Sequence, residues 1–233
     1  MKYLSLASLL TVFLLSSCRS GDKEITVEFQ LIENGTPYTM STPFSKGDTA
    51  IALDLFHFYI SELTIGDQLV SDVLFIDPSD SIYSNYTLNL EKRASTLSFG
   101  LGVPEAMNAM DPTTFDTSHP LSSAFAMYWT WASKYRFIKA EGRFNASGDL
   151  SNAANNDGII WHTGTDPLYR TSTLDINVRP GDHVVFKLDL DQLISGVSLA
   201  KDGFTHTTVD TFGTAEKVSD EAISAIEVLV SNL

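Results

Sequence analysis

Short segments in which polar and apolar residues alternate recur along the chain, and they constrain the fold more than any other feature. Residues 24–32 (EITVEFQLI) alternate in this way, and residues 52–65 (ALDLFHFYISELTI) form a longer segment of the same kind. A period of two is typical of a β-strand with one buried face. Asn34-Gly35 follows the first segment and favours a tight turn, because both residues tolerate a positive φ. The sequence therefore predicts a β-rich protein.

Two features nearer the C-terminus refine this prediction. Residues 172–194 alternate on both sides of Arg179-Pro180-Gly181-Asp182, which predicts a hairpin. Residues 220–233 carry apolar side chains at a spacing that predicts a helix. Many short strands and one late helix indicate an all-β fold, namely an antiparallel immunoglobulin-like β-sandwich with long loops and a C-terminal helix.

The first residues are typical of an export signal. Lys2 precedes an apolar run, and residues 15–18 (LSSC) resemble a bacterial lipobox, in which the cysteine is lipidated and becomes the first mature residue. Cys18 is the single cysteine, so an internal disulfide is excluded. We expect residues 1–17 to be a lipoprotein signal peptide, residues 18–24 a tether and residues 25–233 one β-sandwich domain. The expected location is the periplasm, the outer membrane or the cell surface, with the lipid on Cys18 in the membrane.

The formal net charge of −14 restricts the partners. Nucleic acid requires a basic face, so we expect no nucleic-acid binding, whereas cations are attracted without being specified. The sequence contains no nucleophile elbow, glycine-rich phosphate loop or EF-hand loop, and residues 145–157 lack the regular acidic spacing of a calcium site. We therefore do not expect an enzyme.

A long segment without periodicity, residues 104–126, leads into the aromatic-rich residues 127–142 (MYWTWASKYRFIKAEG). Long loops in compact domains are often functional. On one strand, Trp129 and Trp131 would point to the same side. Such a pair fits core packing or a place beside a chemical site, and an exposed pair also suits stacking on sugar rings.

Five histidines are candidate metal ligands, because neutral imidazole binds copper and zinc. None forms a local metal-binding pair, so a metal site must be assembled from distant segments. His57 lies within a predicted strand and His183 follows a predicted turn, so both are expected at strand or hairpin surfaces. The others lie at segment ends: His119 in the long loop, His162 at a strand end and His206 in a polar loop.

Four segments, taken in order, carry a family resemblance: HFYISELTI (residues 57–65), SFGLGVPEAMN (98–108), HPLSSAFAMYWTWASKYRFIKAEG (119–142) and WHTG (161–164). Together they resemble the MbnP-like copper-binding protein family, which is exported and named for a protein encoded beside methanobactin biosynthesis genes. The resemblance covers most of the mature chain. Lys134 stands where the family has glycine, and Thr163 departs from the family motif around His162, but the histidine is present.

The resemblance implies a copper site. Some members bind copper in the periplasm or at the cell surface, and in members paired with a dihaem peroxidase-like enzyme the first tryptophan of a Trp-x-Trp motif becomes kynurenine. Here that residue would be Trp129, with Trp131 as its partner. The implied cofactor is copper, as Cu(I). The implied partners are a dihaem peroxidase-like tryptophan oxidase and a copper transporter. The candidate ligands are His162 and His206, with His119 third and Trp129 beside the metal.

We therefore expect an extracytoplasmic lipoprotein that binds copper for uptake, storage or delivery. The alternative is a surface carbohydrate- or protein-binding β-sandwich lipoprotein without a metal. Geometry separates the two. A metal site is indicated if His162 lies close to Trp129, or if His206 and His119 do. Sugar or protein binding is indicated if Trp129 and Trp131 form an exposed platform.

Overall fold

Strands dominate the computed structural model, which describes residues 23–130 and 134–232. In chain order the strands are β1 (Glu24–Glu33), β2 (Thr36–Pro37), β3 (Phe44–Lys46), β4 (Thr49–Ile65), β5 (Gln68–Ile76), β6 (Asn85–Asn89), β7 (Leu97–Leu101), β8 (Tyr128–Trp129), β9 (Lys134–Asn145), β10 (Asp157–Gly164), β11 (Arg170–Leu174), β12 (Asp182–Asp189), β13 (Phe204–Thr205) and β14 (Ile226–Asn232). The predicted all-β, sandwich-like fold is confirmed.

Helices are short. They are α1 (Ser81–Ser84), α2 (Glu105–Asn108), α3 (Leu190–Ser195), α4 (Leu199–Asp202) and α5 (Phe212–Ser224). Within residues 23–130 and 134–232, no helix combines the length and the apolar character needed to cross a bilayer.

The described strands form two sheets. The first has the order β14-β12-β1-β2, and β6 also pairs with β1. The second has the order β11-β7-β4-β9-β10-β13, with β3 and β5 on β4 and β8 on β9. Most pairs are antiparallel, but β1 runs parallel to β12 and β10 runs parallel to β13. The sandwich is therefore mixed, and the second parallel pair proves important for the site.

Aromatic rings from both sheets hold the main core together. Phe29 of β1 stacks on Phe186 of β12 with 4.8 Å between ring centroids, and it meets Phe58 of β4 edge-on at 6.3 Å. Phe99 of β7 contacts Phe186 at 5.1 Å. Each such buried side chain contributes roughly 1.5–3 kcal/mol by removal of apolar surface from water.

The opposite face of the second sheet carries a second apolar cluster. Phe58 belongs to the main core and its neighbour Tyr59 belongs to the second cluster, as alternation along a strand requires. The Tyr59 hydroxyl donates to the carbonyl oxygen of Pro120 at 3.0 Å, and the Tyr135 hydroxyl donates to that of Leu121 at 2.8 Å. The long loop that precedes β8 therefore lies over this face.

Local predictions for the first half of the chain are confirmed. Asn34 and Gly35 have φ values of 53° and 76° and form the two-residue turn between β1 and β2. β4 contains the predicted 52–65 segment, and its pairing with β9 shifts register between Leu53 and Leu55.

Two predictions for the second half are wrong in detail. The predicted C-terminal helix is present as α5, but its predicted extent is wrong. α5 ends at Ser224, and the residues that follow form β14 on the edge of the first sheet, because Ile226, Val228 and Val230 alternate with other residues and can pair with β12. The predicted hairpin around Arg179 is also absent from the described strands, since β11 pairs with β7 in the second sheet while β12 lies in the first. That turn connects two sheets.

Gly102 provides a test of the second cluster. Its φ is +97°, and a Cβ at this position would lie 2.5 Å from Cδ2 of Phe137. Gly102→Ala should lower the free energy of unfolding by roughly 2–4 kcal/mol, through overpacking and backbone strain. Chemical denaturation of the mature protein measures this. Gly158→Ala is the control, because nothing lies within 4 Å of the added Cβ. Equal effects of the two substitutions would contradict the packing described for Phe137.

Candidate metal centre

Two histidines from distant segments become neighbours through one short parallel strand pair. Phe204 pairs with Ile160, and Thr205 pairs with Trp161. The next residues in register are His206 and His162, and their rings stack with 4.9 Å between centroids and 6° between planes. This separation is close to the spacing of adjacent strands, about 4.8 Å, so backbone pairing accounts for the ring pair.

The Trp129 indole contacts both imidazoles. Its ring centroid lies 5.2 Å from that of His162 and 4.8 Å from that of His206, with interplanar angles of 69° and 75°. Trp129 ends β8, which pairs with the start of β9 through Trp129 and Lys134. The described part of the aromatic-rich segment therefore contains two antiparallel strands and not the single strand expected from its sequence. Trp131 lies outside the described residues.

A carboxylate positions the buried member of the pair. Oε1 of Glu141 lies 2.9 Å from Nε2 of His162. Burial would raise the pKa of Glu141, but the hydrogen bond with His162 and the charge of Lys139 outweigh burial and lower it. Because the ionised carboxylate can only accept, Nε2 of His162 carries the proton and Nδ1 carries the lone pair. Nδ1 is buried and has no hydrogen-bond partner among the described residues.

Both imidazoles are neutral near pH 7. Burial lowers the pKa of His162 to about 4, although the hydrogen bond with Glu141 opposes this. Burial, together with the positive charge of Arg136, also lowers the pKa of His206. Since a metal binds the neutral imidazole, both rings are in the state that a ligand requires without loss of a proton.

Arg136 places a fixed positive charge against the indole. Its guanidinium carbon lies 4.0 Å from the centroid of Trp129, and the residue is only 8% exposed. Its Nη1 donates to the carbonyl oxygen of Ala126 at 2.6 Å. Burial lowers the pKa of Arg136 to about 10, so the group stays cationic at neutral pH. Arg136 and Glu141 were missed at the sequence level.

Three non-glycine residues at the edges of the cluster adopt a positive φ: Ala126 (53°), Lys134 (64°) and Thr207 (57°). Such residues cost of order 1 kcal/mol each and persist only where their surroundings hold them. The Thr207 hydroxyl donates to the carbonyl oxygen of His162 at 2.8 Å, and Ala126 accepts from Arg136. The positive φ of Lys134 also explains why the family that the sequence resembles has glycine at this position, because glycine adopts a positive φ without steric cost.

Comparison with known proteins identifies the family of the chain. The family model for MbnP matches residues 22–210, a range that contains Trp129, His162 and His206. The chain belongs to the MbnP family. Among solved structures, MbnP from Methylosinus trichosporium matches with a TM-score of 0.53 at 15% sequence identity, over 76% of this chain and 78% of that one. This likeness supports the shared fold. No curated protein sequence gives a significant match.

The remaining histidines of this MbnP-family protein make other contacts. His119 stacks on Phe115 at 4.1 Å, and its Nδ1 accepts from the backbone N–H of Leu121 at 3.1 Å. These contacts lie within the long loop, and none of the ring contacts described joins His119 to Trp129. His57 bonds to Asp77, and His183 lies in the first sheet. Cys18 lies outside the described residues.

The set of candidate ligands in this MbnP-family protein is small. No group of three or more His, Cys, Asp or Glu side chains in the described ranges is placed to hold a metal ion. An ion at this centre would rely on His162 and His206, which fits the low coordination numbers of Cu(I). The ring planes must open from their parallel arrangement for both to bind, because each nitrogen lone pair lies in its own ring plane. His206 is only half-buried and can make this movement.

Acid should reveal the depressed pKa of His162. The unfolded residue binds a proton near pH 6.5 and the folded residue only near pH 4, so the free energy of unfolding should fall as the pH drops through this window. His162→Gln should reduce the slope of unfolding free energy against pH by about one proton between pH 5 and 6. Denaturation of metal-free protein measures this slope.

The control for this experiment is Val209→Ser, which changes a side chain that is 96% exposed. It should keep the wild-type slope. The range above pH 5 excludes the titration of Glu141, whose pKa is already lowered. An unchanged slope in His162→Gln would show that His162 is not held in its neutral form.

Proposed function

We propose that this MbnP-family protein binds copper as Cu(I) through His162 and His206, beside Trp129, and carries it outside the cytoplasm for uptake, storage or delivery. The observation that most supports this is that His162, whose buried Nδ1 has no hydrogen-bond partner in the described part of the chain, lies 4.9 Å from the ring of His206 and beside the Trp129 indole. Buried polar atoms without partners are rare and require an explanation. A metal ion beside a second neutral imidazole supplies one.

The hydrogen bond from His162 to Glu141 is the arrangement expected behind a ligating histidine. Metal-bound imidazoles usually donate their other ring N–H to a carboxylate, which fixes the tautomer and increases ligand basicity. Glu141 occupies this position, 2.9 Å from Nε2. The carboxylate therefore leaves Nδ1 as the ligand atom and holds the ring in one orientation.

The surroundings favour the reduced ion. Two imidazoles satisfy Cu(I), whereas Cu(II) prefers a tetragonal set of four or more ligands. The indole of Trp129 and the burial of His162 restrict water at the inner side. His206 is half-buried and contacts Phe204, which is 49% exposed, so the outer side is open for loading and release.

The proposal also includes a location outside the cytoplasm. Attachment to the membrane through a lipid on Cys18 would keep the domain in the periplasm or at the cell surface. The net charge of −14 would concentrate cations near it. A copper transporter is the expected acceptor or donor of the ion.

The geometry favours this function over sugar binding. Trp129 is half-buried, Arg136 lies on its ring, and two imidazoles meet it edge-on. Stacking on a sugar requires an open ring face. Metal binding therefore accounts for more of the contacts than a carbohydrate platform does.

A copper titration tests the proposal. Anaerobic Cu(I), offered to mature protein against a competing chelator, should bind at about one equivalent with Kd below roughly 1 µM. His162→Ala and His206→Ala should each weaken binding at least about tenfold, as should Glu141→Gln, because it removes the carboxylate behind the ligand. His57→Ala is the matched control and should bind as wild type does. Failure of wild-type protein to compete with the chelator would refute copper binding.

Kynurenine at Trp129 stays a prediction that rests on family membership. If a dihaem peroxidase-like oxidase acts on this protein, the Trp129 peptide from the native host should show the mass change for loss of one carbon and gain of one oxygen. Peptides that contain Trp161, which is fully buried in the main core, should be unmodified. An unaltered Trp129 peptide would leave ligation to the two imidazoles alone.

A further inference from the structure

We infer that Arg136 determines the charge selectivity of this centre, so that the site accepts a monovalent ion and rejects divalent ions. The inference rests on the proposed function and deepens it. It assigns the choice of oxidation state to a fixed cation in addition to the number of ligands. Arg136 is not itself a ligand, since a guanidinium has no lone pair to offer.

Two contacts hold the Arg136 guanidinium in place. Its guanidinium carbon lies 4.0 Å from the centroid of the Trp129 indole, and its Nη1 donates to the carbonyl oxygen of Ala126 at 2.6 Å. The same indole contacts both imidazoles. The positive charge therefore sits directly behind the ring that borders the candidate ligands, and its burial prevents retreat into solvent.

Neutralisation of this charge by a carboxylate is incomplete. None of the ion pairs among residues 23–130 and 134–232 includes Arg136. Glu141 is the carboxylate of the cluster, and it is engaged by His162 at 2.9 Å and by Lys139 at 3.6 Å. Glu141 offsets part of the charge of Arg136, but Lys139 in turn contacts Glu141, so the charges of these three residues sum to +1 in a protein of charge −14.

The consequence follows from Coulomb's law. The repulsion between Arg136 and a bound ion is proportional to the charge of the ion, so a divalent ion is opposed twice as strongly as a monovalent ion at the same place. Salt screens a buried charge only weakly, so the effect should survive at physiological ionic strength. The site therefore disfavours Cu(II) and Zn(II) relative to Cu(I) even where their ligand preferences could be met.

Substitution of Arg136 tests this quantitatively. Affinities of the mature protein for Cu(I), Cu(II) and Zn(II) would be measured by chelator competition, with Cu(I) kept anaerobic. In Arg136→Gln and Arg136→Met, removal of the charge should tighten binding of both divalent ions by more than about tenfold. The logarithm of the change should be about twice that for Cu(I). Arg136→Lys keeps the charge and can stay on the indole face, so its affinities should match wild type.

The outcomes separate the two ideas. If Cu(I) and the divalent ions change by the same factor, or if Arg136→Lys behaves like Arg136→Gln, Arg136 acts through shape and the inference is overturned while copper binding stands. If wild-type protein binds no Cu(I), the proposed function fails and this inference fails with it. Near-UV circular dichroism would establish that each variant is folded, and Arg136→Met places an apolar end against Trp129 where glutamine places a polar amide.

Discussion

Two residue pairs between β10 and β13 decide whether this molecule has a centre at all. β13 contains only Phe204 and Thr205, yet its parallel register against Ile160 and Trp161 places His206 beside His162. Every other feature of the centre is arranged around that pair. A shift of one residue would turn His206 to the opposite face, because side chains alternate along a strand. The chemistry of the site therefore depends on backbone hydrogen bonds at the edge of a sheet.

The second apolar cluster supports the strands β8 and β9, which carry Trp129. Tyr59 and Tyr135 are fully buried, and each donates its hydroxyl to a carbonyl of the long loop. Burial raises the pKa of both tyrosines, so both remain protonated donors. Tyr135 lies in the hairpin that presents Trp129, and Tyr128 packs on it with 4.9 Å between centroids. Two neighbouring carbonyl groups of the long loop, those of Pro120 and Leu121, are thus bound by side chains of the sheet, which holds this part of the loop against it.

The sequence predicted the strand-rich fold and the Asn34-Gly35 turn. It also predicted that His162, His206 and His119 meet near Trp129. The first two contact the indole, whereas the contacts described for His119 are with Phe115 and Leu121. The sequence could support these predictions because alternation, turn chemistry and family motifs are local signals. Long-range pairing leaves no such signal. The edge strand β14 was mistaken for helix, since apolar residues in its short segment fit both periods. Glu141 and Arg136 looked like ordinary charges of one strand. Only the register between β9 and β10 shows that they flank His162.

The position of the two imidazoles has a mechanical consequence. The chain has one cysteine and so no internal disulfide, and His206 follows a two-residue strand at the border of its sheet. An ion shared by His162 and His206 would join distant parts of the chain and close the intervening loop, as a covalent staple does. Loading would therefore tighten the sheet border and raise the melting temperature, with the stabilisation growing as the logarithm of the free ion concentration above the Kd. Release of the ion would loosen the same border, so the melting temperature would distinguish the loaded protein from the metal-free protein.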